Sequence, residues 1–394
     1  MKRSLALSLL CVVAMAVLVR GEASPSGSRA GHVGRLGDPN FFPIGVWLQS
    51  PANAGRYGAA GINLYVGLWD GPTEEQLHLL KQAGMSVICS QNKVGLAHLN
   101  DPTIVGWMHG DEPDNAQSLG EGHGYGPPIR PETVVRDYRL MQTADPNRPV
   151  LLNLGQGVAW DGYYGRGVRT GHPEDYPQYM QGCDIVSFDI YPVTHSDLQV
   201  SGNLWYVARG VERLVQWAGG RQRVWNCIEC THIDNPKQRP TPHQVRCQVW
   251  MSIIHGSTGL IYFVHEWKPR FNEAALLSDP NMLAAVTVIN GRIRQLAPVL
   301  NSPTLSDGVV VASEDRDVPV AAVMKRHAGA TYVFAVAMRG QATRAQFNVR
   351  GLPGTLPVAV LDEDRSLEAK DGVFADEFRP WDVHLYRIVA GGQG

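Results

Sequence analysis

The stretch IVGWMHGDEP, at residues 104–113, shows the pattern that governs the first two thirds of the chain. It is a short, continuous apolar run that ends in acidic residues, and a polar loop and a helical pattern follow it. Similar runs recur at seven other places, namely 42–48, 62–68, 85–89, 150–154, 184–190, 224–230 and 260–264. Continuous apolar runs of this length are typical of strands that are buried on both faces of a parallel sheet.

Helical patterns lie between most of these runs. Residues 204–217 place apolar side chains at Leu204, Val207, Val211 and Val215, which is the spacing of one helix face. Further helices are predicted over 73–83, 131–143, 242–255 and 284–296, while the connections after the first and third runs are short. Eight strand–helix units match a (β/α)8 barrel, which we predict over residues 41–302. An open doubly wound sheet is the alternative, but no glycine-rich nucleotide fingerprint follows the first run.

The pattern changes near Pro303. Short β-rich runs follow at 309–312, 321–325, 331–337, 345–349, 357–361 and 383–388, and Gly, Asp and Pro separate them. No pattern of helical length lies between these runs. We therefore predict a small antiparallel β-sandwich over residues 303–394, whose main role is to support the barrel, with a sugar-binding face as the alternative.

The first residues have the features of an export signal. Lys2 and Arg3 precede an apolar run over 5–19, and Gly21, Glu22 and Ala23 form a small-x-small cleavage site. The run is short for a membrane span. The sequence predicts a signal peptide over residues 1–23, a linker over 24–40, and a secreted or periplasmic protein without membrane contact after cleavage.

Composition excludes several classes of protein. The 394 residues are 44% hydrophobic and 18% charged, which does not fit a disordered, collagen-like or coiled-coil chain. With 35 basic and 37 acidic residues the formal net charge is -2, so nucleic acid is not an expected partner. Outside the signal there are five cysteines, at 89, 183, 227, 230 and 247. We expect buried thiols and no cofactor, and no pattern specifies an oligomeric state.

Two glutamates directly follow buried runs. Glu112 ends the fourth predicted strand and Glu229 ends the seventh. In a barrel these strand ends share one face, where active sites lie. A single buried carboxylate could be a structural anchor, but two at one barrel mouth favour a functional pair. Two carboxylates are the minimum for cleaving a glycosidic bond, one as proton donor and the other as nucleophile or base.

This arrangement resembles the clan A glycoside hydrolases, (β/α)8 enzymes whose acid/base and nucleophile end strands four and seven. The resemblance implies that Glu112 is the acid/base, that Glu229 is the nucleophile, and that the reaction retains configuration through a covalent glycosyl-enzyme. It also implies that Tyr191, in the strand-six stretch 184–192, hydrogen-bonds the nucleophile, and that Trp267 floors the first subsite below zero. The chain departs from the family at Asp111, where the family usually has an Asn that contacts the sugar 2-hydroxyl.

Further residues near predicted strand ends are candidates for sugar binding. They are Trp47, Trp69, Asn153, Asp189, His265 and Glu266. Asp189 is also an alternative to either glutamate in an inverting geometry. The predicted function is a secreted hydrolase of β-linked polysaccharide or oligosaccharide. The alternatives are a non-catalytic carbohydrate-binding barrel and a metal-dependent hydrolase, which would use His109, Asp111, His232, His265 and Glu266; we expect no metal.

Overall fold

The computed structural model describes residues 34–389. The predicted signal peptide over 1–23 and residues 24–33 of the predicted linker lie outside the described residues. Within residues 34–389, no helix has the length and the apolar character needed to cross a membrane.

A closed parallel sheet forms the barrel. Its strands are β1 (Ile44–Trp47), β2 (Leu64–Val66), β3 (Ser86–Cys89), β4 (Ile104–Met108), β5 (Val150–Leu154), β6 (Ile185–Phe188), β7 (Arg223–Val224), β8 (Asn226–Glu229) and β9 (Leu260–Phe263). Each strand pairs with the next as far as β7, and β9 pairs with both β8 and β1. β7 and β8 are two parts of one barrel strand, interrupted at Trp225, whose backbone N–H still bonds Val186 O at 2.9 Å. The ring therefore closes on eight barrel strands, as predicted.

One helix follows each barrel strand. The helices are α1 (Ala54–Ala59), α2 (Glu74–Gln82), α3 (Lys93–Ala97), α4 (Pro131–Ala144), α5 (Tyr176–Tyr179), α6 (Trp205–Ala218), α7 (Pro242–Ile254) and α8 (Pro280–Leu300). α2 and α7 both begin with a capping box, at Thr73 and Thr241. On α6 the predicted apolar stripe is correct except at its end, where Leu214 is buried and Val215 is exposed.

The second domain is all-β and antiparallel. Its strands are β10 (Val309–Ser313), β11 (Val320–His327), β12 (Ala330–Ala337), β13 (Thr343–Val349), β14 (Thr355–Val360), β15 (Arg365–Lys370), β16 (Val373–Phe378) and β17 (Val383–Val389). β15 and β16 pair only at Lys370 and Val373. Phe347 and Phe374, on β13 and β16, pack against Tyr386 of β17 with ring centroids 5.4 and 5.0 Å apart. The two parts of the sheet thus enclose a core between them, which confirms the predicted β domain.

The β domain packs on the barrel through β12 and β17. Phe334 and Leu385 join the core that surrounds the barrel, and the Phe334 ring lies 5.2 Å from Trp250 of α7. On the other face of β12, Val333 and Ala335 belong to the core of the β domain itself. Because β12 is buried on both faces, the two domains share one continuous packing.

We expect Phe334→Ala to destabilise both domains together. Removing a buried phenylalanine side chain costs roughly 3–5 kcal/mol, and here the lost contacts belong to both domains. Urea unfolding followed by tryptophan fluorescence should show one transition with a lower midpoint. Val310→Ala, at an exposed position on β10, is the matched control and should leave the midpoint unchanged. A separate early transition of the β domain with an unchanged barrel midpoint would contradict the shared packing.

Candidate active site

The carboxyl ends of β4, β5 and β6 bring three acidic residues together. Asp111 and Glu112 lie in the loop that begins after β4, and Asp189 is the first residue after β6. The Glu112 N–H donates to Asn153 O at 3.2 Å, and the Asp189 N–H donates to Leu154 O at 3.1 Å. These bonds continue the strand pairing past the strand ends and fix the backbone of both loops at the barrel mouth.

The carboxyl groups of Glu112 and Asp189 lie within hydrogen-bonding reach of each other. Burial, and then the charge of Asp189, raise the pKa of Glu112 well above its usual range. Burial also raises the pKa of Asp189, to about 6, while the contact with Glu112 opposes this rise. Because two neighbouring carboxylates resist ionising together, the pair retains a proton to higher pH than either acid would alone, and the rise in pKa is marked for Glu112.

Asp111 lies beside this pair at the barrel mouth. Protein surrounds its carboxylate closely, and yet the residue is exposed to solvent. The side-chain amide of Asn153 donates to Asp111 Oδ1 at 2.9 Å, and Ser187 Oγ donates to Asn153 Oδ1 at 2.7 Å. Burial and the charge of Asp189 raise the pKa of Asp111 to about 7. An acid that protein surrounds and that water still reaches is accessible to a ligand.

The loop that carries Glu112 is strained and firmly held. Glu112 has a φ of 43°, in the left-handed region that non-glycine residues seldom adopt. Asn115 Nδ2 donates to Glu112 Oε2 at 2.6 Å, and Gln117 Nε2 donates to Glu112 O at 3.2 Å. Asp114 is fully buried and accepts hydrogen bonds from Gly155 N and Tyr176 Oη at 2.9 and 3.1 Å. This loop therefore holds the Glu112 side chain in place.

Tyr191 lies beside Asp189. Its hydroxyl lies beside the Asp189 carboxylate and favours the ionised form of that acid, while Tyr191 Oη and Asp189 Oδ1 are both buried and have no hydrogen bond of good geometry among the described residues. The Tyr191 ring packs on Phe263, with centroids 5.1 Å apart. Unsatisfied polar atoms beside a cleft provide hydrogen-bonding capacity for a bound molecule.

Glu229 lies outside this group of acids. Its exposed fraction is 0%. Oε1 accepts hydrogen bonds from Val193 N and Gln248 Nε2 at 2.7 and 3.1 Å, and Oε2 accepts from Thr194 N and Thr194 Oγ1 at 3.0 and 2.9 Å. Burial raises the pKa of Glu229 to about 7 although these donors oppose the rise. Glu229 thus anchors the loop after β6 to α7 and offers no oxygen to a substrate, so the structure does not place it as the expected nucleophile.

Exposed aromatic rings line the other side of the barrel mouth. Trp69, Trp267 and Phe271, which we call the aromatic platform, are 39%, 46% and 50% exposed. Trp267 stacks on Phe271 with centroids 4.7 Å apart, and Trp69 stacks on the buried His265 at 5.6 Å. His265 also contacts Phe263 at 5.0 Å. Aromatic contacts therefore run without a break from Tyr191, beside the acids, to the platform.

The remaining predicted site residues have supporting positions. Trp47 is 4% exposed and fills the barrel interior, so it is not available to stack on a sugar in this structure. His265 is 1% exposed, and its Nε2 lies 2.9 Å from Leu48 O. Burial lowers the pKa of His265, which keeps the ring neutral. Glu266 is half-buried, and its backbone N–H bonds Asn272 O at 3.0 Å, which shapes the loop after β9.

Two residues of the cleft were missed from the sequence. Asn115 contacts the carboxyl of Glu112, and Phe271 completes the aromatic platform. The only sequence signal for Asn115 is its position three residues after Glu112 within a polar run. Within residues 34–389, no group of three or more His, Cys, Asp or Glu side chains is arranged to hold a metal ion. The five described cysteines are free and buried, as predicted.

Comparison with known proteins gives a structural likeness only. No family model and no curated protein sequence matches the chain. An alpha-amylase from Geobacillus thermoleovorans, complexed with acarbose, matches with a TM-score of 0.53 at 12% identity, over 89% of this chain and 98% of that chain. A variant of AmyP bound to maltotriose matches with a TM-score of 0.52 at 9% identity, over 89% of this chain and 97% of that chain.

A putative alpha-galactosidase from Bacteroides fragilis has a TM-score of 0.50 at 10% identity, over 89% of this chain and 79% of that chain. What these proteins share with the chain is the fold. The matched length spans both the barrel and the β domain, so the likeness confirms the predicted two-domain architecture.

The structure predicts opposite stability effects for the acids of the cleft and for the anchor. Glu112→Gln or Asp189→Asn should stabilise the protein at pH 7 by roughly 0.5–2 kcal/mol, because each removes a carboxyl that is held against another acid. Glu229→Gln should destabilise it by about 1–3 kcal/mol, because an amide N–H₂ would face a buried donor. Urea unfolding measures all three values. A destabilised Glu112→Gln variant with an unaffected Glu229→Gln variant would reverse the assignment.

The same acids set the pH dependence of stability. Because their pKa values are raised, these acids bind more protons in the folded protein than in the unfolded chain between about pH 4 and pH 7, so their contribution to the free energy of unfolding falls as pH rises through that range. Asp189→Asn should make this fall shallower, whereas Glu75→Gln, on the exposed face of α2, should not. Unfolding curves across the range test the slope.

Proposed function

We propose that the protein hydrolyses glycosidic bonds in a polysaccharide or oligosaccharide, with Glu112 as general acid/base and Asp189 as nucleophile. The observation that carries this proposal is the contact between the two carboxyl groups at the barrel mouth. Their pKa values are pushed apart, so that one is protonated while the other is ionised. The structural likeness to carbohydrate-cleaving barrels supports the same reading.

The chemistry follows from these protonation states. The Asp189 carboxylate forms a bond to the anomeric carbon while Glu112 gives its proton to the departing glycosidic oxygen, and the product is a glycosyl ester of Asp189 and a free sugar hydroxyl. Water then attacks the anomeric carbon, Glu112 takes a proton from it, and the Asp189 carboxylate is released. The number of protons on the protein is the same after both steps.

The short separation of the acids favours retention of configuration. Retaining enzymes hold their carboxyl groups about 5–5.5 Å apart, and inverting enzymes leave about 6.5–9.5 Å for a water molecule. The contact between Glu112 and Asp189 is nearer to the shorter of these separations, and on this ground Asp189 is proposed to attack the sugar itself. The sugar enters between the two groups and separates them as it binds.

In this proposal Tyr191 assists the nucleophile Asp189, and Asp111 assists the acid Glu112. The tyrosine that the clan A resemblance places beside the nucleophile lies beside Asp189 here. Its hydroxyl stabilises the carboxylate form of Asp189, which is the attacking form. Asp111 adds negative charge next to Glu112 and so keeps the acid protonated, and its exposed carboxylate accepts a hydrogen bond from a sugar hydroxyl.

The aromatic platform provides the binding surface for sugar rings. Flat, half-exposed indoles present apolar faces with polar edges, and such faces match the C–H faces of pyranose rings. On the far side of the acids, Tyr164 is 73% exposed and its ring lies 6.0 Å from the ring of Tyr163. Aromatic surfaces on both sides of the acids support a substrate of several sugar units. That the linkage is β stays a prediction from the resemblance.

Export is a further part of the proposal. Its support is the basic start at Lys2 and Arg3, the apolar run over 5–19 and the small residues at Gly21 and Ala23. The amino-terminal residue of the protein recovered from the medium or periplasm tests it. Cleavage after residue 23 is the expected result, and an intact amino terminus would contradict it.

Reducing-sugar release from a panel of α- and β-linked glycans tests the reaction. We expect turnover of at least one glycan, with losses of roughly 100- to 10,000-fold in Glu112→Gln and in Asp189→Asn. Glu229→Gln is the matched control, since it changes a carboxyl of the barrel mouth that is not in the cleft. Its activity per folded molecule should remain close to that of the wild-type protein.

Each other outcome identifies an alternative. Activity that survives in Asp189→Asn but is lost in folded Glu229→Gln would make Glu229 the nucleophile. Loss of wild-type activity on chelation would indicate a metal-dependent hydrolase. Glycan binding without turnover of any substrate would indicate a carbohydrate-binding barrel.

Trp69→Ala tests the aromatic platform. Loss of one stacking surface should raise KM about 10-fold and change kcat little, because stacking contributes on the order of 1 kcal/mol and lies away from the acids. Leu140→Ala, at an exposed position on α4, is the control. Unchanged KM in Trp69→Ala, measured on the substrate from the glycan panel, would remove the platform from the binding site.

A further inference from the structure

We propose that Asn115 is a positioning residue that fixes which oxygen of Glu112 carries the catalytic proton. This inference rests on the proposed role of Glu112 as general acid. It concerns a residue outside the carboxyl pair, on the loop that follows β4.

The side-chain amide of Asn115 contacts the carboxyl of Glu112 directly. Asn115 Nδ2 lies 2.6 Å from Glu112 Oε2, slightly closer than the usual range of about 2.7–3.2 Å for an N–H donor and an oxygen acceptor. The carbonyl oxygen of a protonated carboxyl is a better acceptor than its hydroxyl oxygen, so the amide N–H favours Oε2 as the oxygen without the proton. The proton of Glu112 is thereby placed on Oε1.

The loop after β4 and the neighbouring Gly155 hold Asn115 in place. Gln117 Nε2 donates to Asn115 O at 2.7 Å, and Asn115 N–H donates to Glu112 O at 3.0 Å. A Cβ atom at Gly155 would lie only 2.6 Å from Asn115 Oδ1. Position 155 therefore has to be glycine for the amide to occupy this place.

While Nδ2 of Asn115 bonds Glu112, the oxygen of the same amide is left without a partner within residues 34–389. Asn115 Oδ1 is buried and has no hydrogen-bond partner among the described residues. A buried acceptor without a partner is unfavourable, and the surrounding structure tolerates it while Nδ2 bonds Glu112. This is the expected arrangement for a side chain whose geometry serves another residue rather than the stability of the loop.

The amide also supports the second chemical step. When Glu112 has given up its proton, its carboxylate still accepts the Asn115 N–H, and a donor to the charged form favours that form. Neither an alanine nor a leucine side chain at this position has an N–H that could do so. The proposal thus assigns Asn115 a function that depends on its amide and not on its volume.

Asn115→Leu and Asn115→Ala test this function. Both remove the N–H donor without adding charge beside Glu112, and the smaller alanine remains informative if the leucine variant does not fold. We expect the alkaline limb of the kcat/KM pH profile to move up by about one pH unit, because ionised Glu112 loses its donor. We expect kcat to fall about 10-fold, since the proton is no longer placed on Oε1.

Gln117→Ala is the matched control. It removes two bonds to the backbone of the same loop, at Glu112 O and Asn115 O, and leaves the carboxyl contact in place. It should lower the unfolding midpoint without moving the alkaline limb. A fall in kcat in the Asn115 variants with an unmoved limb would overturn the proposal and make Asn115 a merely structural residue.

A readout that needs no substrate separates this proposal from the proposed function. Infrared difference titration, with Glu112→Gln as the reference, follows the carbonyl band of protonated Glu112. The titration midpoint should move to higher pH in both Asn115 variants, whether or not any glycan is cleaved. An unmoved midpoint overturns the role of Asn115, whereas a moved midpoint in a protein that cleaves no glycan leaves that role standing and refutes only the hydrolase.

Discussion

Two carboxyl groups in contact inside a protein resist being charged together, and the pairing of Glu112 with Asp189 imposes this constraint on the barrel mouth. One shared proton turns two similar side chains into an acid and a carboxylate. The backbone conformation of Glu112, its contact with Asn115 and the backbone bonds to β5 all keep the two groups together. The folded protein thus holds two acids together at the barrel mouth although their mutual repulsion is unfavourable, which is typical of functional sites.

The structure that supports this site extends to the β domain. Phe334 of that domain packs on Trp250 of α7, and Gln248 of the same helix bonds the buried Glu229. Glu229 in turn holds Val193 and Thr194, in the loop that begins at Asp189. A continuous series of contacts therefore connects the second domain with the loop that carries one of the two acids.

The architecture could be read from the sequence because it depends on local patterns. Eight apolar runs gave the barrel strands, and alternating burial such as that of β13 gave the β domain. Glu112 and Asp189 could be named because a strand end fixes where a following acid lies. The direction of the Glu229 side chain could not be read, because its four donors come from the loop after β6 and from α7, far away in the chain. Asn115 and Phe271 lie in loops whose conformation depends on tertiary contacts.

Trapping the covalent intermediate tests the central claim most directly. An activated 2-deoxy-2-fluoro glycoside of the sugar that the protein cleaves should accumulate as an ester, since the fluorine slows its hydrolysis. Trypsin places Asp189 and Glu229 on different peptides, residues 170–209 and 224–237, so mass spectrometry of the digest identifies the labelled residue. The account predicts the label on Asp189. A label on Glu229 would contradict it, and would mean that the anchor leaves its four donors to take part in the reaction.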